Sequence, residues 1–243
     1  DFAFLALDQL INHASKFHYM FGGQTPVPLV VRLIVGKGWG QGPQHSQSLH
    51  SMFAHFPGLR VVAPSEPYSA KGLLLNSIFC DDPVIIVEGR PLYEITQSIP
   101  EEPYVVPFGR ARTAVKGEDI TIAALSFMVP EAVEAAGELA EAGKSAEVID
   151  LVSVNPLDID TIAASVEKTG RLLVLDTSWS FCGISAEVSA QVNERLFGRL
   201  KSPVKRLTIP YCPAPTAPDL EGDYYPTAGD VAQCAEEMIL GVC

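Results

Sequence analysis

The chain has 243 residues, 47% hydrophobic and 19% charged, with a formal net charge of −12 at neutral pH. That is a globular composition, long enough for one large or two modest cores, and it excludes an intrinsically disordered chain. No basic stripe is available to neutralise phosphates, which excludes nucleic acid and anionic membrane as partners, and no apolar run reaches the length of a membrane span.

From the start of the chain, Leu5, Leu7, Leu10, Ile11, Ala14 and Phe17 recur at helical spacing and predict a helix over 5–21. The apolar run 27–35 predicts a strand buried on both faces. It empties into Gly36-Lys-Gly-Trp-Gly-Gln-Gly42, four glycines at alternate positions, followed by His45-Ser-Gln-Ser48. A strand that ends in a glycine loop and then presents a histidine is where an α/β sheet usually places a ligand. A helix over 46–56 is expected next, capped by Ser46 or Ser48, then a short strand over 59–63 that Pro64 stops. Ser65-Glu-Pro67 opens a helix toward Phe79, and Pro83 to Glu88 reads as a strand.

Strands alternating with helices mean a parallel α/β layer, and the pattern holds to about residue 93. Residues 94–118, with Pro100, Pro103 and Pro107, read as a linker. A second α/β run then fills 119–243: strands over 120–125, 146–152, 171–176 and 204–209, helices over 129–142, 158–167, 184–196 and 228–240. The expected organisation is a first domain over 1–93 that begins on a helix, as if partial, and a second over 119–243 that is complete in itself. The five cysteines are scattered and lack CxxC spacing, which reads as free thiols in a reducing compartment.

Taken bare, few residues announce chemistry. The glycine loop is not GxGxxG opening a dinucleotide helix. His45 alone reads more readily as a capping or core histidine than as a catalyst, and Phe2 and Phe4 as core. His55 reads as packed at a helix end, His13 and His18 as surface residues. Glu88 and Glu94 have no partner that spacing identifies, and Ser46 lacks the Asp/His arrangement of a nucleophile. Asp219 to Pro226 reads as a solvated acidic loop.

Taken together, Asp1-Phe-Ala-Phe-Leu-Ala-Leu-Asp-Gln9, Gly22 to Arg32, Gln44-His-Ser-Gln47, Phe53 to Ser65, Tyr68 to Leu74 and Asp82-Pro-Val-Ile85 resemble, in order, the β subunits of thiamine-diphosphate-dependent 2-oxo acid dehydrogenases, the E1 components of pyruvate, branched-chain and acetoin complexes. The resemblance implies an α/β fold: a partial pyrimidine-binding domain with a parallel sheet, then a transketolase C-terminal-like β/α domain. It implies thiamine diphosphate with Mg²⁺ shared with an α subunit, an α₂β₂ assembly containing a dimer of β chains, a 2-oxo acid substrate, and acyl transfer to the lipoyl arm of an E2 acyltransferase core. The compartment would be a bacterial cytoplasm or a mitochondrial matrix.

Carried onto this sequence, the resemblance implies that Phe2 packs on the cofactor's pyrimidine. His45 faces the active-site cavity and moves protons, a role suited to a side chain whose ordinary pKa is about 6.5. A structural potassium site of some relatives maps onto Leu29, Ser77, Ile78, Cys80 and Asp82, with Cys80 where those relatives have an aspartate and a thiol being a poor ligand for a hard cation. The glutamate that activates the pyrimidine in this family lies upstream of the region matching Asp1. The expectation is therefore a longer physiological protein, and no activation of thiamine diphosphate by this polypeptide alone. The acidic run around Asp219, Glu221 and Asp223 is a candidate docking surface for a basic module of the E2 core. Two other readings stay open: an acetoin-type or other transketolase-superfamily subunit, since the Gly-Trp-Gly-Gln-Gly loop departs from the pyruvate type, and a non-catalytic assembly or binding module.

Overall fold

The structure is a computed structural model that describes residues 1–242. The chain opens with three abutting helical segments, a 3-10 turn Phe2–Ala6, a π-helix Asp8–Ala14 and α1 Ser15–Met20. There follow β1 Val30–Val35, α2 His50–Ala54, β2 Arg60–Val62, α3 Pro67–Ile78 and β3 Val84–Gly89, the last running into a 3-10 turn Arg90–Glu94. Then come β4 Arg112–Val115, β5 Ile120–Ala124, α4 Met128–Glu141, β6 Ala146–Asp150, β7 Ser153–Asn155, α5 Ile159–Thr169 and β8 Leu172–Trp179. The chain closes with α6 Ile184–Leu196, β9 Lys205–Ile209, α7 Pro218–Tyr224 and α8 Ala228–Leu240.

Two sheets result, a four-stranded one in the order β1-β3-β2-β7 and a five-stranded one in the order β4-β6-β5-β8-β9. The central strands are parallel, and β7 and β4 are antiparallel additions at one edge of each sheet. The fold class is α/β, as the alternation of strands and helices predicts.

Helix boundaries follow local chemistry. Pro67 sits in the first turn of α3, and Asp158 caps α5 by accepting the Thr161 N–H at 3.1 Å. Gly170 ends α5 in the left-handed region, and Thr227 with Asp230 forms a capping box on α8. Helix α2 is a correction: it begins at His50 with Leu49 before it, and neither Ser46 nor Ser48 caps it. Both serines are buried instead.

β1 is a second correction. It forms an edge of its sheet, not the interior, and Ile34 is 48% exposed. An uninterrupted apolar run records high β-propensity but not which neighbours will cover it.

The two layers are stitched together. Asp150 closes β6 in one sheet and, two residues on, Val152 turns at φ +58 so that β7 joins the other sheet. Asp150 is wholly buried at this crossing, where it accepts hydrogen bonds from Ser65 Oγ at 2.5 Å, Arg112 Nη2 at 3.1 Å and Val152 N at 3.1 Å. Burial pushes its carboxyl up, and those donors work against the rise. One apolar cluster runs through both layers, from Phe53, Val61 and Val87 to Leu151, Ile162 and Val188. Each such side chain contributes about 1.5–3 kcal/mol through burial. Within the stretch read as linker, Arg112–Val115 is ordered as β4 on the edge of the five-stranded sheet.

Candidate functional site

The glycine loop leaves β1 at the C-terminal ends of the parallel strands and crosses to the second layer. Gly36 has φ +85, and a Cβ there would lie 2.5 Å from the Phe127 ring; at Gly42, φ +69, it would lie 2.3 Å from Thr216 Oγ1. These glycines therefore serve close interlayer packing. Lys37 adds an ion pair with Glu131 at 3.6 Å, and Gly38 N–H donates to Glu221 Oε1 at 3.1 Å. The acidic stretch expected as a loop is thus helix α7, with Glu221 engaged on the glycine loop while Asp219 and Asp223 remain exposed.

Beyond the loop, the structure brings together the two residues singled out for the site. The Phe2 and His45 rings stand 5.4 Å apart at 35°. Both line an open cavity of about 440 Å³, whose other walls include Ile34, Trp39, Gln41, Arg90 and Tyr93. Phe2 is 71% exposed, an aromatic face turned to the cavity and not to the core. The backbone after His45 is tied down by Asp1, whose carboxylate accepts from Gln47 N at 3.2 Å and Gln47 Nε2 at 3.1 Å.

Glu88 has partners after all. Its carboxylate takes Arg32 Nε at 2.7 Å, Arg32 Nη2 at 3.0 Å and the Tyr93 hydroxyl at 2.6 Å. Burial, followed by the Glu88 hydrogen bond, pushes the Tyr93 phenol up to about 12. Glu88 is thereby committed to a cross-strand pair between β1 and β3 and does not face the cavity as a free acid.

One buried pair escaped the sequence reading. His50 Nε2 lies 2.9 Å from Asp176 Oδ1, and both side chains are inaccessible to solvent. Asp176 also accepts from Ser178 N at 3.0 Å and Ser185 N at 3.1 Å. Burial opposes its charge, but His50 and these N–H groups outweigh burial and hold the carboxyl below its usual range. Asp176 stands near the C-terminal end of a parallel strand, a position that attracts function, but nothing in the sequence links it to a histidine on the other sheet's helix.

The remaining histidines are peripheral. His55 is exposed at the end of α2 against Phe56, His13 pairs with Asp8 at 3.3 Å, and His18 Nδ1 meets Thr25 O at 3.2 Å. Larger cavities of about 670 and 530 Å³ lie between α2 and the start of α6, the second reaching Phe4 and Gln47. Size alone would choose them, but neither holds Phe2 or His45.

The residues mapped to potassium do gather at the turn between α3 and β3, but they do not fit that ion. The Asp82 carboxylate pairs with Arg60 at 2.7 and 2.9 Å, and Cys80 Sγ accepts the Asp82 N–H at 3.4 Å. Leu29 O accepts from Val84 N at 2.8 Å, Ser77 O from Cys80 N at 3.3 Å, and Ser77 Oγ turns back to Leu73 O at 2.7 Å. The Asp82 carboxylate is thus committed to Arg60, and the thiol of Cys80 is a poor ligand for a hard cation, so no role is derived through potassium. Among the described residues no group of three or more His, Cys, Asp or Glu side chains could hold a metal ion, and no helix is long and apolar enough to cross a membrane.

Comparison with known proteins agrees with this architecture. The family model for the transketolase pyrimidine binding domain matches residues 1–96, and that for the transketolase C-terminal domain matches residues 109–231. The chain is 44% identical to the acetoin:2,6-dichlorophenolindophenol oxidoreductase subunit beta of Cupriavidus necator, over 99% of this chain and 71% of that one. It is 43% identical to the pyruvate dehydrogenase E1 component subunit beta of Porphyra purpurea, over 90% of this chain and 66% of that one. In fold it is similar to a split-gene transketolase solved as an inactive beta4 tetramer, with a TM-score of 0.76 at 22% identity, over 98% of this chain and 73% of that one.

Proposed function

The chain belongs to the transketolase superfamily as an E1-β-like subunit, and from that premise we propose that it forms the β part of a thiamine-diphosphate-dependent enzyme that decarboxylates a 2-oxo acid and hands the acyl group to a lipoyl arm. The observation that carries the reading is the cavity that Phe2 and His45 share, with an exposed aromatic face beside an imidazole.

These residues fit one end of the cofactor. Phe2 offers a flat apolar surface to the pyrimidine ring, and the half-buried His45 can give or take a proton at a group held between the two rings. When bound, the cofactor supplies the nucleophilic carbon and the sink for carbanion charge, and the protein supplies orientation and exclusion of water. The diphosphate and its Mg²⁺ are assigned to an α-type partner, as the resemblance to E1 β subunits implies. The carboxyl group in the cavity wall belongs to Asp1 and is occupied by Gln47, so no described residue of this chain takes the part of the activating glutamate. The working assembly is accordingly an α₂β₂ complex docked to an E2 core.

A second reading, oxidative cleavage of acetoin by the same site, is favoured by the acetoin-type relative. Coexpression of a chain that carries the family's activating glutamate with an α-type partner, assayed on a panel of pyruvate, branched-chain 2-oxo acids and acetoin, separates the two. We expect turnover on one member of that panel and a fall of about 100-fold in kcat for His45→Ala, with cofactor affinity little changed. Undiminished turnover in that variant would remove His45 from the mechanism.

A further inference from the structure

We propose that Arg90 is the positioning residue that fixes the glycine loop and, through it, His45; the inference rests on the role given to His45 above. Arg90 follows β3 directly and is only 8% exposed. Its Nη1 donates to Gly36 O at 2.5 Å and its Nη2 to His45 O at 3.1 Å. Those carbonyls stand at the two ends of the loop, so one planar guanidinium closes a span that otherwise has four glycines' worth of freedom.

The rest of the side chain holds the middle of the same loop. The guanidinium lies 5.6 Å from the centre of the Trp39 ring, and a Cβ on Gly38 would sit 3.3 Å from Arg90 Cδ. Trp39 occupies φ +60, a region costly for a residue with a side chain, and keeps it while 74% exposed. The ring's stacking on Arg90, with Glu221 drawing Gly38 N–H from the other side, holds that conformation. Arg90 and Trp39 also line the cavity that Phe2 and His45 share, so a slack loop displaces the histidine's backbone and the cavity wall together.

A lysine lacks the planar fork that meets the two carbonyls through separate nitrogens, Nη1 and Nη2, because all its donors sit on one flexible atom. Displacement of a catalytic group by about 1 Å costs on the order of 100-fold in rate, so turnover should be far more sensitive than binding.

The test uses Arg90→Ala and Arg90→Lys. In the unloaded chain, labelled with [¹³C]histidine, we expect both variants to move the Cε1 resonance of His45, assigned by its loss in His45→Gln, and to leave that of His13 in place. Acrylamide quenching of tryptophan emission should change as well. In the complex of an α-type partner with a chain that carries the activating glutamate, kcat should fall by at least about tenfold with KM changed less than about threefold, and guanidinium ion added at millimolar concentration should restore part of the rate of Arg90→Ala. If Arg90→Ala fails to fold, Arg90→Lys decides the matter through the same readouts. A wild-type His45 resonance and wild-type quenching in a folded Arg90 variant would overturn the proposal. Should His45→Ala leave turnover intact, the functional reading falls, and the resonance of the unloaded chain still decides whether Arg90 positions the loop.

Discussion

The His50–Asp176 pair joins the helix beneath the His45 segment to the far sheet with both partners out of solvent. Because Asp176 is held below its ordinary value, its contribution to stability is fully present above the unfolded carboxylate pKa of about 3.9 and is lost as pH falls through the lower folded value. Asp176→Asn replaces hydrogen bonds to a buried carboxylate by hydrogen bonds to a neutral amide and should cost about 1.5–3 kcal/mol at pH 7. Urea denaturation at pH 7 and at about pH 3 checks both the size and the sign, since the difference from wild type should shrink on the acid side. An equal difference at the two pH values would mean that packing, not charge, is what the pair provides. This pair also marks the limit of reading residues from sequence: its members are 126 residues apart, and no spacing rule connects them. Phe2 and His45, by contrast, became legible through an ordered series of matched blocks, which the fold then put into one cavity.

Elements built on local chemistry were legible and those built on neighbours were not. Helices α6 and α8 fall where apolar spacing places them, Ile184–Leu196 and Ala228–Leu240, the second with Thr227 as its cap. Strands β4 and β7 are short and their pairing is wholly tertiary, so a proline-rich stretch and the tail of an apolar run concealed them. The exposure of β1 was hidden for a similar reason, as strand order is not written in the strand. Glycines divide along the same line. Gly137 lies on the exposed face of α4 with nothing within 4 Å of an added Cβ, so Gly137→Ala should stabilise the chain by about 0.5–1 kcal/mol through helix propensity. Gly36→Ala meets the Phe127 ring and a positive φ at once, and should lower the melting temperature while loosening the loop. Thermal melts of the two variants should therefore move in opposite directions from wild type. A shared direction would mean that the loop's packing on Phe127 is not a rigid constraint.

At the scale of the whole molecule, the two family-matched halves share one apolar cluster, while a second cluster of buried residues, from Ile120 to Met238, is drawn from the second half alone. β7 leaves the second half to pair with β2, β4 joins the five-stranded sheet from within the connecting stretch, and one apolar cluster takes side chains from both layers. Cavity creation in that cluster should be felt by both sheets: Phe53→Ala, at a fully buried site, should cost about 3–5 kcal/mol. Two-part chains of this length commonly unfold in steps, and a shared core works against that by making each layer's apolar face depend on the other. We therefore expect one cooperative transition, with helix loss by far-ultraviolet circular dichroism coinciding with tertiary loss in the aromatic region. Phe53→Ala should shift both signals together, although Phe53 belongs to the first half and Trp179, which reports on β8, to the second. If the variant melted the first sheet while the aromatic signal of the second stayed at its wild-type midpoint, the continuous cluster would be a contact between two independent cores. The packing of Leu151, Ile162 and Val188 on the first layer would then contribute little to the stability of the second.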